Sequence, residues 1–156
     1  YGLDRINWTR VTQQHDLAVI VTRDSVDRGP TSPGAGEATA LVDVDLEAML
    51  DQGFGYQDLV AAVDVVLTKP GYSIIAECAA NDTALVYTSR GDFAEYRVLV
   101  EAMPRLLRCA YLEQRDLFTG RWAPIVRQVL DQPRLTARPA TDGARVVARG
   151  LAAYLS

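Results

Sequence analysis

The chain has 156 residues, 49% of them hydrophobic, which suits one domain with a substantial core. Its 16 basic and 20 acidic side chains give a formal net charge of −4, which argues against binding nucleic acid or an anionic membrane surface through bulk charge. With two cysteines and one histidine the chain is poorly equipped for a zinc site, and no apolar run approaches the roughly 20 residues of a membrane-spanning helix.

The chain opens on a segment of helical period, Ile6–Gln14, with no strand before it. Because a doubly wound domain normally starts with a strand and a Gly-rich turn, we expect the first strand to be missing and the chain to be a truncated piece of a larger protein. His15 follows in a polar turn at the amino end of the next strand. That position is far from the expected ligand edge, so we interpret His15 as an ordinary surface histidine.

Short β-branched runs then alternate with segments of helical period. The expected strands are Leu17–Thr22, Ala40–Val44, Asp64–Thr68, Ala84–Thr88 and Arg108–Leu112. The expected helices are Tyr56–Val63, Tyr72–Ala80, Phe93–Met103, Trp122–Leu130 and Gly143–Leu155, with loops at Arg28–Gly36 and Asp131–Asp142. This alternation predicts an α/β fold, an open Rossmann-like doubly wound parallel sheet, with residues 1–156 as one domain.

Cys78 and Cys109 both lie in apolar stretches. We expect both to be reduced core residues of a cytoplasmic protein, with a single buried disulfide as the alternative. Trp8 and Trp122 are interpreted as packing residues of the core or of a domain interface.

The segment Val65–Leu99 carries the chemistry. In a doubly wound sheet, ligands lie beyond the carboxyl ends of the strands, which is where Lys69–Ser73 and Ser89–Asp92 fall. Gly71 allows close approach of the backbone, and the helix that follows offers free N–H groups and a positive dipole end. Ser73 can cap that helix or bind an oxygen, and Lys69 adds a positive charge. The turn is therefore suited to an anion.

Glu77 lies four residues beyond Ser73, about 6 Å along the helix at 1.5 Å per residue. A carboxylate in this position can accept hydrogen bonds from the two ribose hydroxyls of a nucleotide whose diphosphate lies at the helix start. The alternative is a simple tight turn at Gly71 and a solvated helix face at Glu77, since many strand–turn–helix units share this spacing.

The stretch TKPGYSIIAE resembles the donor-binding motif of glycosyltransferases with two Rossmann-like domains, the GT-B architecture. It is most similar to relatives of the UDP-N-acetylglucosamine transferase of lipid II synthesis and to the signature box of the UDP-glycosyltransferases. In that motif a Glu follows the Gly by six residues, as Glu77 follows Gly71, and a His stands where this chain has Lys69. The flanking segments Phe54–Val66 and Ala80–Tyr96 are similar to the adjoining elements of the family, although Thr83-Ala84 stands where a proline is common.

The resemblance implies the donor-binding domain of an inverting, metal-independent glycosyltransferase that binds a nucleotide-diphosphate sugar, with a UDP-sugar as the expected donor. The diphosphate would lie on the helix that begins beside Gly71, and Glu77 would hold the ribose. The donor-binding residues that it implies are Lys69, Gly71, Tyr72, Ser73, Glu77, Arg90, Asp92 and Glu95.

Among these residues, Asp92 and Glu95 would orient the sugar, with a charge at a helix start as the alternative for Glu95. Arg90 would contact phosphate or form a surface ion pair with Asp92. Phe54–Gln57 would form a loop at the base edge. No cofactor and no metal are expected.

The general base would lie in a missing N-terminal acceptor domain, so this fragment alone is expected to bind and not to catalyse. The expected partners are a nucleotide sugar and that domain, with no nucleic acid and no integral membrane segment. Two alternatives remain. One is a nucleotide-sugar 2-epimerase on the same architecture, although the chain lacks a His near the site; the other is a non-catalytic binding module of a larger protein.

Overall fold

The computed structural model describes residues 3–14, 16–23, 41–137 and 139–155. Over these ranges the chain has an α/β structure. Its strands are β1 Val19–Arg23, β2 Leu41–Asp45, β3 Val65–Thr68, β4 Ala84–Tyr87 and β5 Cys109–Tyr111. Its helices are α1 Trp8–Thr12, α2 Leu46–Asp51, α3 Tyr56–Ala62, α4 Tyr72–Asn81, α5 Tyr96–Ala102, α6 Gln114–Thr119, α7 Ala123–Leu130 and α8 Gly143–Leu155. None of the described helices has both the length and the apolar character that a membrane crossing requires.

The strands form two small parallel sheets. In the first, β1 pairs with β2 from Val19↔Leu41 to Arg23↔Asp45. In the second, β4 lies between β3 and β5. The expected strands are confirmed to within two residues at each end, and so is their parallel pairing. We expected a single open sheet. Within the described residues β1 and β3 are not paired, so the strands form two separate sheets.

Helices cover both faces of the three-stranded sheet. Successive residues of β4 point to opposite faces, and three of them are fully buried. Leu85 packs into a cluster with residues of α3, α4 and α5, whereas Ala84 and Val86 pack into a second cluster with residues of α1 and α7. The strand that the sequence makes apolar on both sides is therefore the centre of the fold, as expected for a parallel sheet.

Gln14 joins α1 to the amino end of α7. Its side-chain oxygen accepts hydrogen bonds from the backbone N–H groups of Trp122 at 3.1 Å and Ala123 at 2.8 Å, and its amide donates to the carbonyl oxygen of Gly120 at 2.7 Å. Trp8 meets Trp122 edge to face, with ring centroids 5.8 Å apart. The interpretation of both tryptophans as packing residues is confirmed.

Some helices differ from the expectation. The first helical segment is a 3-10 turn, Leu3–Arg5, followed by the short α1, and the helix expected over Phe93–Met103 begins at Tyr96. The helix Gly143–Leu155 is confirmed, but none of its described side chains is buried, so it does not close the fold.

Two short helices, α2 and α6, were not expected. The start of α2 carries a recognisable signal, because the Asp45 side chain accepts hydrogen bonds from the backbone of Glu47 and Ala48. The expected loop Asp131–Asp142 has no helix or strand in its described part, and Arg28–Gly36 lies outside the described residues.

Candidate functional site

The carboxyl ends of β3, β4 and β5 meet at one edge of the three-stranded sheet. Thr68 pairs with Tyr87, and Tyr87 pairs with Tyr111, so the three strands end at the same level. The segments that follow these strands therefore lie side by side. This edge contains the turn before α4 and the loop before α5, where the sequence places its candidate residues.

The amino end of α4 lies open at this edge. Gly71 occupies the N-cap position, and no side chain caps the helix. The first intrahelical bond runs from the N–H of Ile75 to the carbonyl of Gly71 at 3.1 Å, so the N–H groups before it have no intrahelical partner. Tyr72 is 59% exposed and Ser73 is exposed as well. The expectation that Ser73 can cap this helix is not met, because α4 has no side-chain capping hydrogen bond.

Arg90 extends from the loop after β4 to this helix end. Its Nη1 donates a hydrogen bond to the carbonyl oxygen of Pro70 at 2.8 Å. Its guanidinium carbon lies 4.0 Å from the ring centroid of Phe93, in a cation–π contact that further fixes the side chain. Arg90 thus contacts the α4 turn rather than forming the surface ion pair with Asp92 that was the alternative.

Gly71 is favoured by space rather than by conformation. Its φ of −155° is extended backbone that any residue adopts. A Cβ at this position would lie 3.2 Å from Nη1 of Arg90. The glycine therefore lets the guanidinium approach the backbone at the start of α4, where Lys69 also lies, half-buried, just after β3.

Glu77 lies one turn further along α4 and lines a cavity of about 580 Å³. Gln57 and Tyr72 line the same cavity, whose other walls are mostly apolar residues of α4 and α5. One carboxylate oxygen, Oε2, is buried and has no hydrogen-bond partner among the described residues. The alternative of a solvated helix face is therefore wrong for this oxygen. A buried acceptor without a partner is costly to the folded state.

Asp92 and Glu95 are exposed on the segment between β4 and α5. Glu95 occupies the N-cap position of α5, but its side chain makes no capping hydrogen bond. Its carboxylate therefore does not satisfy the first N–H groups of that helix.

Three further residues at this edge were not singled out from the sequence. The side chain of Thr88 is buried directly after β4, and its hydroxyl has no partner among the described residues. The rings of Tyr87 and Tyr111 lie 5.6 Å apart at the ends of neighbouring strands. Burial is the main cause that raises the pKa of both phenols. In the sequence, a tyrosine at the last position of each of two adjacent strands could have identified this pair.

The cysteines do not add to this site. Both thiols are free, as expected, and burial raises the pKa of Cys78 to about 12, so this thiol is protonated and unreactive at neutral pH. Among the described residues, no three His, Cys, Asp or Glu side chains are grouped to hold a metal ion. His15 lies outside the described residues.

Comparison with models of known protein families, with curated proteins and with solved structures gives no match to this chain. The geometry of the strand edge is therefore the basis for assigning a function.

Proposed function

We propose that this chain binds a nucleotide-diphosphate sugar, with a UDP-sugar as the donor, and serves as the donor domain of an inverting, metal-independent glycosyltransferase. The observation that supports this most directly is the hydrogen bond from Arg90 to the carbonyl of Pro70. It brings a cation from one strand end to the uncapped start of the helix that follows the neighbouring strand.

This arrangement suits a diphosphate. The free N–H groups and the positive dipole end of α4 attract an anion. Arg90 adds a fixed planar donor that matches phosphate oxygens, and Lys69 adds a second positive charge near the same turn. In glycosyl transfer the same groups stabilise the negative charge that grows on the departing nucleoside diphosphate.

Glu77 is the proposed ribose contact. Its buried Oε2 lacks a partner, and the two adjacent ribose hydroxyls supply two donors for one carboxylate. Gln57 and Tyr72 line the same cavity as Glu77, and this amide and aromatic ring support the proposal that a nucleoside binds there. Asp92 and Glu95 are exposed beside Arg90 and are proposed to orient the donor sugar.

Catalysis also requires a general base to activate the acceptor, and we place that base in a second domain. A non-catalytic binding module would need only the α4 end, so nucleotide binding is the property common to both interpretations. Binding is therefore the property to test first.

We also propose that the two sheets are parts of one doubly wound sheet, completed by one further parallel strand between β1 and β3. Val19 of β1 and Val65 of β3 pack against the same buried cluster, although the two strands are not paired. In the strand order 3-2-1-4-5-6, the first strand occupies this central position.

The binding hypothesis is tested by calorimetric titration of the protein with UDP, TDP and GDP. We expect one of them to bind, and Glu77→Ala to weaken that binding by about 1–3 kcal/mol, the range for removing a hydrogen-bond partner. Since Oε2 has no partner in the free protein, the same substitution should leave the thermal midpoint unchanged or raise it.

Glu101→Ala is the matched control, because Glu101 is an exposed glutamate that pairs with Arg97 on α5. It should leave binding unchanged. If none of the three diphosphates binds, or if Glu77→Ala and Glu101→Ala have the same effect, the proposal is wrong.

A further inference from the structure

A second concave surface lies at the same strand edge, beyond the end of β5. It is an open groove of about 350 Å³ between the segment that follows β5, Arg121 and the first two turns of α7. We call it the β5 cavity. Its polar lining side chains are Glu113, Asp116, Arg121 and Gln128, and Tyr111 forms part of its wall.

The polar groups of the β5 cavity do not satisfy one another. Across the described ranges, these four side chains form no hydrogen bond and no ion pair, although Asp116 and Arg121 carry opposite charges. The cavity thus presents two carboxylates, an amide and a guanidinium around one space. Groups with both acceptor and donor character are the best complement to such a lining, and hydroxyl groups have both.

The aromatic ring of Tyr111 further restricts the class of ligand that fits the β5 cavity. Tyr111 is 39% exposed, and its ring is held against that of Tyr87 with centroids 5.6 Å apart. An aromatic ring presents a flat apolar surface with a negative face, which packs against the C–H groups of a sugar ring. Its hydroxyls would then donate to Glu113 or Asp116 and accept from Arg121 or Gln128.

The position of the cavity links it to the α4 end. Neighbouring strands lie about 4.8 Å apart, so the end of β5 is roughly 10 Å from the end of β3. A ligand whose diphosphate lies on α4 would cross the end of β4 to reach the β5 cavity. The hexose of a nucleotide sugar is attached directly to that diphosphate.

We propose that the β5 cavity binds the sugar ring of the donor, a neutral hexopyranose with free hydroxyls. This inference rests on the proposed nucleotide-sugar binding at α4 and adds a specificity-determining site that is distinct from Asp92 and Glu95.

The test compares UDP with UDP-glucose, UDP-galactose and UDP-N-acetylglucosamine, each titrated into wild type, Asp116→Asn and Gln128→Ala. Both substitutions lie on surface-accessible helices, so the fold should be kept. We expect UDP itself to bind all three proteins equally. Each substitution should weaken at least one UDP-sugar about fivefold, the effect of losing roughly one hydrogen bond.

Asp131→Asn is the matched control, because Asp131 is an exposed aspartate at the carboxyl end of α7 and does not line the β5 cavity. Saturation-transfer NMR with Tyr111→Ala gives a second readout: magnetisation should pass from aromatic protons to the sugar ring in wild type and be lost in the variant. Unchanged UDP-sugar affinities with intact UDP binding would overturn the sugar site alone. Absence of UDP and UDP-sugar binding would overturn this inference, and it would overturn the proposed function as well if TDP and GDP also fail to bind.

Discussion

A guanidinium that donates one hydrogen bond to a main-chain oxygen keeps its other N–H groups available for a ligand. Arg90 is held in this way by Pro70 and by the ring of Phe93, so its orientation is fixed before any anion arrives. Such preorganisation lowers the entropy that binding has to overcome. Glu77 contributes the opposite charge one turn along α4, suited to hydroxyls rather than phosphate.

Arg90→Ala should weaken the binding of the diphosphate that wild type prefers by about 1.5–3 kcal/mol, the range for a hydrogen bond to a charged group. Removal of the Arg90 side chain should also reduce the salt dependence of binding, because one positive charge near the anion is lost. Calorimetry at two salt concentrations measures both effects.

Arg97→Ala is the control for net charge, since Arg97 is exposed on α5 and pairs with Glu101 at 2.7 Å. Equal losses in the two variants would mean that Arg90 acts only through bulk charge and has no specific contact with the ligand.

At the scale of elements, the backbone hydrogen bonds of β3 show where the sheet is divided. The carbonyl of Asp64 accepts from Ala84, and that of Thr68 accepts from Thr88, so every second residue of β3 faces β4. In a parallel strand the residues between them turn their N–H and C=O groups to the other edge. Val65 and Leu67 therefore face the side of β1, where no described strand pairs with them.

The unpaired edge of β3 leads to a prediction for amide hydrogen exchange. The N–H groups of Val65 and Leu67 should exchange with solvent deuterium much faster than that of Val66, which lies in the β3–β4 ladder. If a further strand pairs with β3, as proposed, the exchange rates at these positions should become equal. Hydrogen exchange followed by NMR measures each amide separately, and slow exchange at Val65 and Leu67 in this chain would contradict the free edge.

For the whole molecule, the sequence predicts the strands well because each is an apolar β-branched run in a fold where parallel strands are buried on both faces. The short helices α2 and α6 are not predicted from the sequence, because six residues give too little hydrophobic periodicity to recognise a helix. The Arg90–Pro70 contact and the unpartnered Oε2 of Glu77 are tertiary features between segments, and residue spacing cannot reveal them.

The buried thiol makes the stability of the whole chain depend on pH. Burial, followed by the nearby charge of Glu77, raises the pKa of Cys78 from 9.0 to about 12. The folded state thus favours the neutral thiol, and its contribution is fully present below pH 9 and is lost as the pH rises towards 12. The free energy of unfolding should fall over this window by up to about 4 kcal/mol from this group.

Urea unfolding at pH 8 and pH 11 measures about 2.7 kcal/mol of this loss, because pH 11 lies one unit below the pKa in the folded state. Cys78→Ala should be less stable than wild type at pH 8 because it leaves a small void, but it should lose less stability than wild type between pH 8 and pH 11. The same loss in both proteins would show that other groups, such as the Tyr87 and Tyr111 phenols, whose pKa is also raised, account for the alkaline sensitivity.

The placement of the two tryptophans has a practical consequence. Trp8 and Trp122, the only indoles of the chain, belong to the cluster on the α1 and α7 side of the central sheet, whereas Cys78 belongs to the cluster on the other side. Intrinsic fluorescence therefore reports the opening of one layer, and the rate of thiol labelling at Cys78 reports the opening of the opposite layer. One unmodified sample can show whether the two layers separate from the sheet together or one after the other.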